Sequence, residues 1–139
     1  MRVVIDTNVL VSGFLSKKSF PAKVIDAWIF HSFTPVVCRE IIQEYCTVFA
    51  REKFSRLGSV QERLDLLNNL LGLSWVEIVW IDNSLQVISE DKKDNIFLEC
   101  ADQGKASYIV SGDDHLIKLK KFQGIKIVTA RDFCLEHNY

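Results

Sequence analysis

The sequence lacks the features that mark several specialised classes of protein. Its four cysteines, Cys38, Cys46, Cys100 and Cys134, form no C-x-x-C pair, so we interpret them as reduced core residues and not as zinc ligands. No apolar run approaches the length that crosses a bilayer. The N-terminus has no signal-like region. We therefore expect a cytoplasmic protein that has no membrane partner.

The chain also lacks an excess of charge of either sign. Lysine and arginine number 17 and aspartate and glutamate 18, which gives a formal net charge of −1. The field of the whole molecule therefore does not indicate a nucleic-acid-binding protein, and any basic surface must be local. With 139 residues, 48% of them hydrophobic and 25% charged, the composition predicts one globular domain over residues 1–139. We find no linker and no internal repeat.

Segments with strand and helix patterns alternate along the chain. Short apolar runs predict five strands, at residues 3–5, 34–38, 76–80, 108–110 and 125–128. Amphipathic patterns predict helices at residues 21–30, 39–51, 59–73, 91–104, 115–121 and 131–137. Because repeated strand–helix units place helices on both faces of parallel strands, we predict an α/β fold. Its architecture would be a three-layer α/β/α sandwich with a mostly parallel five-stranded sheet.

Two acids directly follow predicted buried strands. The run Val3-Val4-Ile5 ends at Asp6-Thr7-Asn8, and the strand at 108–110 is followed by Ser111-Gly112-Asp113. Open parallel sheets bind ligands outside the carboxyl ends of their strands. A buried charge there costs free energy unless a proton, a partner or a metal compensates it. Both acids have another interpretation, since either could make a turn and cap the following helix.

Two further acids lie at the borders of apolar helix faces. Glu44 lies four residues before Val48 and borders that helix's apolar stripe, whereas Glu40 falls farther out. Asp94 likewise lies four residues before Leu98, at the border of the apolar stripe of its own helix. Alternatively, Glu44 could simply be solvated and Asp94 could interact favourably with its helix dipole. Periodicity alone does not show that these acids meet the two at the strand ends.

In their order and spacing, these motifs resemble those of the PIN-domain ribonucleases. The motifs are Ile5-Asp6-Thr7-Asn8, Ile41-Ile42-Gln43-Glu44-Tyr45, Asp94-Asn95 and Ile109-Val110-Ser111-Gly112-Asp113. The chain is most similar to the VapC-like toxins of bacterial and archaeal toxin–antitoxin modules. This resemblance implies a metal-dependent endoribonuclease, a hydrolase that cleaves phosphodiester bonds in RNA. It implies that the catalytic residues and metal ligands are Asp6, Glu44, Asp94 and Asp113.

Carboxylates suit the metal chemistry that the resemblance implies. Mg²⁺ and Mn²⁺ prefer oxygen ligands, and either ion makes a bound water easier to deprotonate for attack on phosphorus. A second ion would stabilise the leaving oxygen, so the number of metals stays open. His31, His115 and His137 have no ligand spacing, and we interpret them as surface or core residues.

The resemblance also implies roles for polar neighbours of the acids and for partner molecules. Thr7 or Ser111 would orient a phosphate or a water, and Asn8 would brace the strand end. Two lysine pairs, Lys17-Lys18 and Lys92-Lys93, could border the pocket and hold RNA phosphates, or could be ordinary solvated lysines. The family further implies a homodimer and a protein antitoxin that covers the acidic pocket.

Three other functions remain open at this level. A non-catalytic PIN-like scaffold would bind RNA or protein without cleaving it. A receiver-type signalling domain would need a phosphoacceptor at the end of the third strand, where Asp82 is a poor match. A haloacid-dehalogenase-type phosphatase would need a second aspartate two residues after Asp6, where this sequence has Asn8.

Overall fold

Strands and helices alternate along the chain, as the sequence patterns predict. The computed structural model describes residues 1–81 and 92–139, with the backbone but not the side chains of Lys92 and Lys93. The first half of the chain contains β1 (Arg2–Ile5), α1 (Thr7–Leu15), α2 (Phe20–Ile29), β2 (Thr34–Cys38), α3 (Arg39–Phe49), a 3₁₀ helix (Glu52–Leu57) and α4 (Val60–Leu71). The second half contains β3 (Glu77–Val79), α5 (Lys92–Gln103), β4 (Tyr108–Val110), α6 (Asp114–Ile117), β5 (Lys121–Phe122), β6 (Ile125–Val128) and α7 (Ala130–His137).

The sheet is built around β1. Its six described strands lie in the order β3-β2-β1-β4-β6-β5, and each neighbouring pair is parallel except β5 and β6. Val3, Val4 and Ile5 are each at most 1% exposed. Such burial of successive residues requires cover on both faces of the sheet, because side chains alternate between them. The predicted α/β/α sandwich with a mostly parallel sheet is confirmed.

The prediction of five strands is wrong at one edge of the sheet. The helix predicted to reach Lys121 ends at Ile117, and Lys121–Phe122 forms β5, antiparallel to β6. Gln123 (φ 47°) and Gly124 (φ 83°) join the two strands. Positive φ at both central residues is what a two-residue hairpin turn of type I′ requires. A strand of two residues is too short to show an apolar alternation in the sequence.

The direction in which the strands are added changes at β1. From β1 the chain continues to β2 and β3 on one side of the sheet, and it later adds β4 and β6 on the other side. The carboxyl ends of β1 and β4 therefore form a topological switch point, where open parallel sheets bind ligands. The backbone N–H of Asp6 donates to the carbonyl of Val110 at 2.9 Å, which joins these two strand ends.

Local signals fix the ends and the contacts of several helices. Ser59 and Glu62 form a reciprocal capping box at the start of α4, and Ser19 caps α2. The helices α1 and α2 approach closely at Gly13, where a methyl group would lie 2.7 Å from the carbonyl oxygen of Pro21. In the part of the chain that the structure describes, no helix is long and apolar enough to span a membrane.

Candidate active site

A polar cleft of about 200 Å³ opens at the carboxyl ends of β1 and β4. All four predicted acids line it, and they come from the end of β1, from α3, from α5 and from the connection after β4: Asp6, Glu44, Asp94 and Asp113. The other lining residues are Thr7, Asn8, Val48, Arg51 and Phe97. The fold thus brings together four carboxyl groups whose meeting the sequence periodicity does not establish.

Asp6 is buried at the switch point, with 6% of its surface exposed. Its Oδ2 accepts a hydrogen bond from the hydroxyl of Ser111 at 2.6 Å. Burial, with the negative charges of Asp113 and Asp94, raises the pKa of Asp6 from 3.8 to about 6, although the Ser111 hydrogen bond lowers it. The Asp6 side chain makes no capping hydrogen bond to α1. Its surroundings are therefore those of a buried acid among other acids.

The connection after β4 supplies Asp113, which is half-buried. Its backbone N–H donates to the hydroxyl oxygen of Ser111 at 3.0 Å, and Ser111 in turn donates to Asp6. The Ser111 hydroxyl therefore links the two strand-end acids. Asp113 Oδ1 also accepts from the backbone N–H of His115 at 2.8 Å and so caps α6. Asp113 both caps a helix and lines the cleft.

Glu44 reaches the cleft from α3. The hydroxyl of Thr7 donates to its Oε2. Glu44 is half-buried, whereas Glu40, one turn earlier, is exposed. This difference agrees with the helical phase that the apolar stripe predicts.

Asp94 enters the cleft from the first turn of α5 and is 4% exposed. The helix packs against β1, β2 and β4, and its side chains Phe97 and Leu98 are buried in the core. The place of Asp94 is consequently fixed by the packing of this helix on the central strands.

The carboxyl groups that line the cleft are chemically suited to bind a divalent metal ion. Four carboxyl groups offer the hard oxygen ligands that Mg²⁺ and Mn²⁺ bind. Asp113 and Asp94 both raise the pKa of Asp6, so these groups are close enough to repel one another, and a cation relieves that repulsion. Among the described residues, no three His, Cys, Asp or Glu side chains are already gathered at metal-ligand spacing. Metal binding would therefore have to draw the carboxylates closer together.

Those predicted phosphate-binding lysines whose side chains are described do not line the cleft. Lys17 and Lys18 are exposed and lie outside the lining. The side chains of Lys92 and Lys93 lie outside the described residues, as does Asp82, on which the receiver-type alternative depended. The three histidines also lie outside the cleft lining.

Arg51 is a residue of the cleft that our sequence analysis missed. It follows the last residue of α3 by two positions and lines the cleft beside Glu44 and Val48. The spacing contains a signal that could have found it, because residues i, i+4 and i+7 of a helix share one face. Tyr45 also supports the site, since its buried hydroxyl donates to the carbonyl of Ile5 at the end of β1.

Three comparisons place the chain among known proteins. The sequence profile of the PIN domain matches residues 2–115. The uncharacterized protein MJ1680 of Methanocaldococcus jannaschii is 28% identical over 144 residues, which cover 98% of this chain and 91% of the relative. The crystal structure of VapBC2 from Rickettsia felis bound to a DNA fragment from the promoter matches with a TM-score of 0.58 and 13% identity. That match covers 91% of this chain and 97% of the other, and it concerns the fold. Since the profile spans most of the chain, the protein belongs to the PIN domain family.

Proposed function

We propose that the protein is a divalent-metal-dependent endoribonuclease. The observation that carries the proposal is the convergence of four acids, from four separate parts of the chain, on one cleft at the switch point of the sheet. The PIN domain family, whose members are typically nucleases, supports a hydrolase of phosphodiester bonds. The choice of RNA as substrate rests on the resemblance of the motifs to VapC-like toxins.

The residues of the cleft would have different roles in the reaction. Asp6, Glu44, Asp94 and Asp113 would hold Mg²⁺ or Mn²⁺, which when bound acidifies water and stabilises charge on phosphate oxygens. Ser111 keeps the Asp6 carboxylate oriented, and Thr7 does the same for Glu44. Asn8 is exposed and lines the cleft, where it would contact the substrate.

We further propose that the enzyme is the toxin of a toxin–antitoxin module, with a protein antitoxin over its acidic cleft and a homodimeric state. The Rickettsia felis structure, a VapBC2 assembly on promoter DNA, supports a protein partner. Static light scattering on the purified chain tests the dimer, for which we expect twice the mass of one chain. A monomeric mass at every accessible concentration would count against it.

Cleavage of a labelled single-stranded RNA in the presence of Mn²⁺ or Mg²⁺ tests the nuclease proposal. We expect the wild type to cleave with metal but not with EDTA, and Asp6→Asn and Asp113→Asn to be slower by roughly 10²- to 10³-fold. Circular dichroism should show that both variants stay folded. Full activity in either variant would remove that residue from the catalytic site.

The same preparations separate the alternative functions. An RNA-binding scaffold would bind the labelled RNA without cleaving it under any metal condition. A receiver-type domain would become phosphorylated by acetyl phosphate, which a nuclease would not. Either result would replace the nuclease proposal.

A further inference from the structure

We propose that Arg51 binds a phosphate group of the RNA next to the acids of the cleft, and that Arg63 positions Arg51 for this contact. The inference rests on the proposed nuclease function and deepens it, because it names the residues that hold the polyanionic substrate against an acidic site. Lys17 and Lys18, which we predicted to hold RNA phosphates, do not line the cleft. The side chains of the other predicted pair, Lys92 and Lys93, lie outside the described residues.

Among the described residues that line the cleft, Arg51 is the cation. Its side chain is exposed, and within residues 1–81 and 92–139 it forms no ion pair with a carboxylate. An arginine whose only role was to neutralise the four acids would pair with one of them. The guanidinium is instead available to a ligand that enters the cleft, and its planar group matches two oxygens of a phosphate.

An acidic cleft needs such a group if RNA is to bind. The carboxylates repel the phosphates of an approaching strand, and a metal ion offsets only part of that charge at the scissile phosphate. A cation at the edge of the cleft attracts a neighbouring phosphate and sets the register of the strand without reading its bases.

Arg63 fixes the backbone that carries Arg51. It lies on α4, is 3% exposed, and belongs to a residue type that is almost never fully buried unless it is paired. Its guanidinium donates to four carbonyl oxygens, those of Phe49 (2.7 Å), Arg51 (2.8 Å), Gly58 (3.0 Å) and Ser59 (3.3 Å). These carbonyls lie at the two ends of the connection between α3 and α4. Arg63 therefore ties the end of α3, and with it Arg51, to the core.

The first arm of the test compares Arg51→Ala and Arg51→Lys with Arg39→Ala. Arg39 is exposed at the start of the same helix and lies outside the cleft lining, so it is a matched control. Steady-state cleavage of single-stranded RNA in Mn²⁺ should show KM raised by about tenfold or more in Arg51→Ala, as loss of a charge-assisted contact predicts. Arg51→Lys should recover part of this loss, and Arg39→Ala should match the wild type.

The second arm measures RNA binding without cleavage. Fluorescence anisotropy in an Asp113→Asn background should show weaker binding when Arg51→Ala is added, with a salt slope smaller by about one. Titration with Mn²⁺ alone should give the same affinity with and without Arg51→Ala, because the arginine is assigned to the RNA and not to the metal site. A change in metal affinity equal to the change in RNA affinity would overturn the assignment.

The third arm asks whether Arg63 acts through Arg51. Arg63→Lys keeps the charge but cannot reach all four carbonyls, so we expect a raised KM and a lowered melting temperature. Adding Arg63→Lys to Arg51→Ala should raise KM no further. Additive effects on KM, or a loss confined to kcat, would mean that Arg63 is only structural.

The outcomes separate this inference from the nuclease proposal. A wild type that binds RNA but does not cleave it overturns the nuclease, while the anisotropy comparison still decides Arg51. A wild type that cleaves, with Arg51→Ala indistinguishable from Arg39→Ala in KM and in binding, overturns the inference alone. A wild type that neither binds nor cleaves RNA overturns both.

Discussion

Two acids of the cleft each accept a hydrogen bond from a hydroxyl group that belongs to a different sequence motif. Thr7 is adjacent to Asp6 in the chain but donates to Glu44, and Ser111 lies two residues before Asp113 but donates to Asp6. The positions of the acids at strand ends and at the borders of apolar helix faces could be predicted, because strand ends and helical phase are local properties of the sequence. These hydrogen bonds between motifs could not be predicted from the sequence, because the Ser111–Asp6 bond joins residues 105 positions apart.

At the same scale, the phase of α3 predicts different roles for two glutamates. Glu44 is half-buried at the cleft and Glu40 is exposed on the turn before it. We expect Glu44→Gln to lower kcat for RNA cleavage by about 10²-fold, whereas Glu40→Gln should stay near the wild type. Single-turnover cleavage of both variants measures this difference. Equal losses, or a larger loss for Glu40→Gln, would show that the wrong face of α3 has been assigned to the site.

The raised pKa of Asp6 predicts how the stability of the metal-free protein depends on pH. The pKa is about 6 in the folded protein against an ordinary 3.8, so the folded state binds the proton more tightly than the unfolded state. The resulting stabilisation is complete below the ordinary pKa and is lost as the pH rises through about 6. Asparagine does not titrate, so the wild type should lose about 3 kcal/mol relative to Asp6→Asn across this interval.

Urea unfolding of the wild type and Asp6→Asn in EDTA, at several pH values from about 4 to 8, measures this change. A difference between the two proteins that stays constant with pH would mean that the Asp6 pKa is not raised. Adding Mn²⁺ at the upper end of the range should restore stability to the wild type, because a bound cation stabilises the charged form.

At the scale of elements, most boundaries could be predicted and the short pieces could not. Apart from the helix that ends at Ile117, each predicted helix and strand that is described begins and ends within two residues of its position in the structure. The two-residue strand β5 and the 3₁₀ helix after α3 have no periodicity long enough to detect. Arg51 directly precedes that 3₁₀ helix, and it falls at the last position of the helix predicted over residues 39–51.

The contact between α1 and α2 gives a stability prediction for this scale. A methyl group on Gly13 would meet the side chain of Ile25 and lie 2.7 Å from the carbonyl oxygen of Pro21. A backbone oxygen cannot move aside cheaply, so Gly13→Ala should destabilise the fold by about 1–3 kcal/mol. Gly112→Ala, where a methyl group would meet nothing within 4 Å, is the matched control. Chemical denaturation that found the two variants equally stable would contradict this account of helix packing.

At the scale of the whole molecule, the architecture follows from the alternation of strands and helices, but the neighbours of each strand do not. The sequence predicts that Asp6 and Asp113 follow buried strands. Only the order of strands in the sheet places β1 beside β4 and so brings these two acids to one switch point. Likewise, the packing of α5 on the central strands decides that Asp94 enters the same cleft.

The proposed metal-dependent activity requires that the four acids form a metal site whose carboxylates repel one another when the metal is removed. Thermal melts of the wild type and Asp6→Asn, in EDTA and in Mn²⁺ or Mg²⁺, test this directly. In EDTA near neutral pH, Asp6→Asn should melt at or above the wild-type temperature, because one repelling charge is gone. Metal should then raise the melting temperature of the wild type more than that of the variant. A metal concentration a hundredfold above the dissociation constant increases the free energy of unfolding by about 2.7 kcal/mol. Equal metal shifts in the two proteins, with little effect of the substitution in EDTA, would contradict the account and leave Asp6 as a turn residue.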